Sequence, residues 1–225
     1  MKRLLFVLIS ILLPFVAMAQ GVGGEIRRPV RTNANNNSPK DRPINTSTNK
    51  VNGHEFVDLG LSVKWATCNI GATRPSEFGE YYVWGETSSE TLKSDVDVEE
   101  QLNKSIHPES GYDAARENWG GAWRLPTREE FQELRDNCYW TWTTRGGQKG
   151  VRVTSKKNGK SIFLPAEGYR DSFGQHIEDP LSYYWTSTLS DESSEYACSL
   201  GFTNREIIMG FFYRHDGFNV RPVID

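Results

Sequence analysis

The residues with chemistry to offer are few and scattered. Four histidines, His54, His107, His176 and His215, share no ligand spacing with one another or with a carboxylate, so neither a metal site nor a cofactor is expected. Ser187 sits in Trp185-Thr186-Ser187-Thr188 with no Gly-x-Ser-x-Gly elbow around it. No acid or histidine is placed to activate it, and strand alternation accounts for the segment. Among the three cysteines, Cys198 lies in Tyr196-Ala197-Cys198-Ser199-Leu200-Gly201-Phe202, where alternate residues share one strand face, so it reads as a small core residue. In an oxidising compartment the arithmetic then pairs Cys68 with Cys138, with three free thiols as the alternative. Closing so long a loop is worth ~4 kcal/mol in the chain-entropy view. Binding chemistry concentrates in Arg205 to Asp216, which carries Phe211, Phe212, Tyr213, Arg214 and His215. Aromatic and arginine side chains are what hot spots use, and rings also stack on sugar faces. Phe211, Tyr213, Arg214 and His215 are expected partly exposed on a ligand face with Tyr183 and Tyr169, unless strand alternation turns some of them into the core.

The elements that must position these residues can be read from period and punctuation. Thr127 and Glu130 form a capping box, Pro126 and Phe131 flank it as a hydrophobic staple would, and Leu134 and Cys138 continue the apolar stripe. A helix of about three turns from Thr127 follows. Asp113 to Trp119 reads as a shorter helix with Asp113 as N-cap and Gly120 past its end. Phe56 to Gly60, Val63 to Thr67 and Tyr81 to Trp84 read as strands. Val151 to Ser155 and Ser161 to Leu164 flank Asn158-Gly159, a strong hairpin signal. Further strands are expected at Tyr183–Thr188, Glu195–Phe202, Ile207–Tyr213 and Phe218–Val223, while Thr87 to Pro108 is a polar surface excursion. With no repeat period, the class is α+β, with short antiparallel strands, two short helices and long loops.

The remaining bounds concern export and partners. Lys2 and Arg3, the apolar run Leu4 to Val16 and Ala17-Met18-Ala19 have the three regions of a signal peptide, so residues 1–19 are expected to be removed. The apolar run is shorter than the ~20 residues a bilayer span needs, so no stable membrane span is expected after cleavage. No cysteine lies near the cleavage site to carry a lipid. Without Lys2 and Arg3 the chain has 24 basic against 29 acidic residues, a formal charge of −5, which disfavours nucleic acid as a partner. Residues 20–51 are polar and rich in Asn, Arg and Pro, and read as a disordered linker; 52–225 form one domain.

Four segments in order resemble a known family: Trp65-Ala66-Thr67-Cys68-Asn69-Ile70-Gly71-Ala72, Trp119-Gly120-Gly121-Ala122-Trp123-Arg124-Leu125-Pro126-Thr127, Tyr184-Trp185-Thr186-Ser187-Thr188 and Gly217-Phe218-Asn219-Val220-Arg221-Pro222-Val223. Together they resemble the Fibrobacter succinogenes major paralogous domain family of secreted bacterial proteins, over about Phe56 to Ile224. The resemblance implies a C-type-lectin-like fold related to the formylglycine-generating sulfatase-modifying factors, with paired terminal strands, the Thr127 helix packed on the sheet and long loops forming a separate face. In lectin-like variable proteins the region matching Arg205 to Asp216 displays binding residues. Trp65, Trp119, Trp123 and Trp185 are expected to be core. Cysteine-oxidising relatives need two nearby cysteines in a groove, and none is expected here. Glu178-Asp179-Pro180 departs from the Glu-Pro-Asn or Gln-Pro-Asp order of calcium-dependent lectins, and no Trp-Asn-Asp follows, so a turn before Pro180 is the favoured reading. The expectation is a secreted or cell-surface domain, in the periplasm or outside, that binds an extracellular glycan or protein without catalysis. An enzyme of the sulfatase-modifying-factor type, or a structural surface or assembly component, are the alternatives.

Overall fold

The computed structural model describes residues 25–27, 49–89, 102–177 and 181–225. In chain order the elements are β1 (Glu25–Arg27), β2 (Asn49–Val51), β3 (His54–Val57), β4 (Lys64–Ala66), α1 (Ala114–Trp119), α2 (Arg128–Asn137), β5 (Cys138–Arg145), β6 (Gln148–Ser155), β7 (Ser161–Pro165), β8 (Tyr169–Arg170), β9 (His176–Ile177), β10 (Ser182–Leu189), β11 (Tyr196–Phe202), β12 (Ile207–Tyr213) and β13 (Val223–Ile224). The architecture is α+β and mostly antiparallel sheet: β1-β12-β11-β10, β13-β4-β3-β2, β5-β6-β7 and the small β8-β9 ribbon.

The β10–β12 meander carries apolar packing on both faces. Along β11, Ala197 faces a cluster built from Trp84, Trp119, Trp123, Trp185 and Phe218. Cys198, Leu200 and Phe202 face a second cluster with Trp65, Phe131, Leu134 and Val153. Period-2 alternation thus divides one strand between two cores, which is why nearly all of β11 is buried. The second cluster is closed by α2 through Phe131 and Leu134, each worth about 2 kcal/mol of burial.

Capping fixes both helices. Thr127 Oγ1 accepts from Glu130 N at 3.3 Å, and Thr127 N donates to Glu130 Oε2 at 2.8 Å. Glu130 also holds Arg124 at 2.7 Å, which reaches Asp225 at the same distance, so the helix start is tied to the chain end. The fully buried Asp113 carboxylate caps α1 through Ala115 N and Arg116 N and also accepts Leu125 N. Burial pushes its acidity down, raising the pKa against the pull of those donors.

Several boundaries differ from the sequence reading. The α2 stripe does not run through Cys138, because Cys138 is already extended at φ −125° and opens β5. Tyr81 to Trp84 makes one isolated bridge, Tyr82 to Phe218, and not a strand. Of Phe218 to Val223 only Val223–Ile224 is a strand, pairing with β4. Within residues 20–51, the described β1 pairs with β12 and the described β2 with β3. The signal segment 1–19 and Glu178-Asp179-Pro180 lie outside the described residues. Among the described residues no helix is long and apolar enough to cross a membrane.

Candidate functional site

Much of the polar chemistry is spent on holding loops. Arg221 is fully buried and donates from Nε to Asn69 Oδ1 at 2.8 Å, from Nη1 to Ala66 O and Thr67 O at 3.0 and 2.9 Å, and from Nη2 to Phe163 O at 3.0 Å. Burial lowers its pKa. Asn219 Nδ2 donates to Phe78 O and Glu80 O, and Asn69 Nδ2 to Phe78 O. The indole N–H groups do the same work: Trp84 to Thr186 O, Trp123 to Val51 O and Trp185 to Tyr82 O. Thr67, Phe78, Glu80 and Tyr82 lie outside the strands, whereas Val51, Ala66, Phe163 and Thr186 are strand residues, so the side-chain donors tie irregular segments to strands and satisfy buried carbonyls in both.

The cysteines are free thiols, so the expected pairing of Cys68 with Cys138 is not formed. Cys68 is half-buried near Arg221 and Arg145, whereas Cys138 sits in the second core near Lys156. Burial pushes the Cys138 and Cys198 thiols up to about 12. Among the described residues no group of His, Cys, Asp and Glu could hold a metal ion. The histidines are dispersed: His54 stacks on Trp119 at 3.8 Å, His107 is exposed, and His176 Nε2 lies 2.8 Å from Glu167 O. Ser187 is buried, with its backbone bonded to Pro126 and Ile106.

The six expected ligand residues do not form one surface. Phe211 faces the second core and lies beneath Arg128 at the start of α2, 5.3 Å from ring to guanidinium. Two residues on, Tyr213 emerges from the sheet at 39% exposure. Arg214, expected partly exposed, is 1% exposed, 4.9 Å over the Trp84 ring, with Nη1 donating to Leu102 O and Ser194 O. Tyr183 was also expected on the ligand face and is buried instead, stacked 4.6 Å from Phe218. Gly201 makes room for that ring, since a Cβ there would come within 2.8 Å of it. Tyr169 is half-buried, edge-on to Tyr183 at 5.4 Å. His215 is half-buried with its ring 4.8 Å from Tyr213.

What the structure does bring together is the β12 exit turn and the tip of the β8-β9 ribbon. Arg170 and Gly217 exchange backbone bonds of 2.9 and 2.7 Å, fastening the ribbon to the turn. Asp171 Oδ1 accepts from Phe173 N and Gln175 N, Gly174 N donates to Asp171 O, and so the tip has a fixed conformation. This turn raises Phe173 to 82% exposure, the most exposed large apolar side chain described. Across from it Asp216 accepts from the Ser172 backbone. Burial, reinforced by the neighbouring Asp171 charge and opposed by His215, lifts its pKa to about 6. At the base of the tip, where Arg170 pairs with His176, the Tyr81 hydroxyl is 3.3 Å from His176 Nε2 and the Arg170 guanidinium lies 5.7 Å from the Tyr81 ring. Burial raises the Tyr81 pKa, so the phenol stays neutral.

Two aromatic side chains are accessible on the joined turns, Phe173 on the ribbon tip, with Asp171 and Asp216 at the turn that carries it, and Tyr213 at the end of β12, with His215 beside it. Rings of this kind stack on apolar ligand faces, and carboxylate and imidazole groups exchange hydrogen bonds with hydroxyl or amide groups. The sequence reading missed Phe173. Its signal was an aromatic inside Asp171-Ser172-Phe173-Gly174, a tight-turn pattern that presents its third side chain outward. Searches against protein families, curated proteins and solved structures returned no match.

Proposed function

We propose that this chain is an exported, non-catalytic recognition domain that binds an extracellular glycan, or a protein, through the ribbon tip and the β12 exit turn. The observation that carries this is Phe173, fully presented on a pre-formed turn whose neighbour Ser172 is bonded to Asp216. An apolar ring held in water on a rigid mount has no role in the core, and a rigid mount reduces the ordering cost of binding. Burial of Cys138 and Cys198, which pushes both thiols up to about 12, argues against cysteine oxidation of the sulfatase-modifying-factor type. The export reading rests on residues 1–19.

The finer fold reading is C-type-lectin-like, within the Fibrobacter succinogenes major paralogous domain family. Its supports are the pairing of β13 with β4, the packing of α2 against β10, β11 and β12, and the use of Asn69, Trp123, Trp185, Asn219 and Arg221 from the four motif segments as loop clamps. The test is glycan and protein array screening of the mature domain with and without calcium, followed by titration of the best ligand against Phe173→Ala. Binding falls at least about tenfold, the loss of one hot-spot ring, while thermal stability stays within about 0.5 kcal/mol. Unchanged binding by Phe173→Ala, or formylglycine production from a cysteine peptide, would overturn the reading.

A further inference from the structure

We infer that β5 is a self-association edge: two copies of this chain pair their β5 strands antiparallel about a two-fold axis, joining two three-stranded sheets into one of six strands. The surface uses none of the residues of the ligand face, so either reading can fail alone.

The other long edge strands are covered at least in part. β1 pairs with the Ile207–Met209 end of β12, and the free side of β10 is bonded by Asn219, Pro126 and Ile106. The C-terminal β13 is bridged to Arg124. β5 is different. It is eight residues long and terminal in its sheet, pairing only with β6 from Cys138↔Ser155 to Arg145↔Gln148 without a bulge. Lys156 N donates to Asn137 O, which sets the parity of the ladder. Residues 139, 141, 143 and 145 therefore turn their backbone groups toward β6, and Trp140, Trp142 and Thr144 turn theirs outward. Among the described residues nothing bonds to those outward groups.

The composition is that of a paired strand. Tyr139-Trp140-Thr141-Trp142-Thr143-Thr144 has high β-propensity and lacks the lysine, proline or bulge by which solitary edges avoid pairing. Tyr139 is 59% exposed. A second copy fits on symmetry and charge. Antiparallel pairing keeps the outward groups in phase when the axis passes through Thr141 or through Trp142. In the first register Thr141 meets its counterpart, Tyr139 meets Thr143, and Trp140 meets Trp142. In the second Tyr139 meets Arg145 and Trp140 meets Thr144. Neither register sets like charges opposite each other, and aromatic-to-threonine neighbours are favourable pairs. An isologous contact of this kind closes at two copies.

Sedimentation velocity of the mature chain over a wide concentration range, with hydrogen exchange at both ends of the range, tests this. The expected result is a monomer–dimer equilibrium in which the amides of Trp140, Trp142 and Thr144 gain protection with concentration. Thr141→Lys, an exposed position whose backbone bonds face β6, weakens the dimer about tenfold or more by placing ammonium groups near the axis. Thr144→Pro removes an outward N–H only and does the same without loss of β6 pairing. A monomer at every concentration overturns the inference, as does a dimer indifferent to both substitutions or one that leaves the three amides unprotected.

Discussion

Replacing Asp216 with asparagine should stabilise the domain at neutral pH and leave it unchanged in acid. The carboxylate lies in the β12 exit turn, accepts from the Ser172 backbone, and is lifted to about 6 mainly by burial and then by the nearby Asp171 charge. An unfolded aspartate titrates near 4. Its folded pKa is therefore raised, and the native state holds the proton more tightly than the unfolded chain between those two values. Stability from this group is complete below about pH 4, declines as pH rises through about 6, and stays low above that. The rise would be worth about 3 kcal/mol for an enclosed group, but the side chain keeps water contact, so about 1 kcal/mol is the expected cost at pH 7.5. Asparagine keeps an acceptor for Ser172 and carries no charge. Urea unfolding followed by tryptophan fluorescence, at pH 7.5 and at pH 4, should give a gain of about 1 kcal/mol for Asp216→Asn at the first pH and none at the second; in thermal melts at pH 7.5 that is about 2–4 °C. Equal effects at both pH values would refute the electrostatic account, and a loss at pH 7.5 would show that the ionised carboxylate makes a compensating bond.

Two further perturbations test the interior. Arg221→Lys keeps the charge but cannot span Asn69, Ala66, Thr67 and Phe163, and it strands at least two buried carbonyls; chemical denaturation should show a loss of about 3–5 kcal/mol. Thiol titration with an aromatic disulfide reagent at pH 8 should count one reactive cysteine, Cys68, in the native protein, because Cys138 and Cys198 are buried with pKa values near 12, and three in urea. A count of one in urea without reductant would instead indicate that two of the cysteines had joined.

Local signals were readable in the sequence and long-range ones were not. The α2 start needed only Thr127 and Glu130, three residues apart, and the β6-β7 hairpin only Asn158-Gly159 between alternating strands. β5 escaped because Leu134 and Cys138 carry a helical spacing into a stretch whose Trp-Thr alternation is that of a strand. The helix yields at Asn137, where Lys156 takes its carbonyl and begins the ladder. Tyr81 to Trp84 has strand composition, but its partner, Phe218, is far away in sequence and offers a single bridge, so packing rather than a ladder holds those rings. The proposed ligand face was half visible. Tyr213 and His215 were in the sequence reading, whereas Phe173 and Asp171 are brought to the β12 exit turn only through the Arg170–Gly217 junction, which no local pattern announces.

The division of the Phe211 to Asp216 segment follows from the conflict between strand period and loop chemistry. Alternation sends Phe211 and Tyr213 to the α2 side of the meander and Phe212 and Arg214 to the other, so a continuous aromatic–arginine run cannot form a continuous surface. Arg214 is drawn inward because Leu102 and Ser194 present carbonyls that need a donor, and a guanidinium supplies several from one position while its face rests on Trp84. The same demand buries Arg221. Arg214 and Arg221 are interior residues for this reason, and the side chains that the proposed ligand face offers lie beyond the last clamp. Here they are Tyr213 before Arg214, His215 and Asp216 after it, and the ribbon tip at Phe173. The proposed recognition surface thus lies on two short turns, of which only the ribbon tip can be replaced with the Arg214 clamp in place, and chimeras exchanging residues 171–175 should change ligand preference without changing the fold.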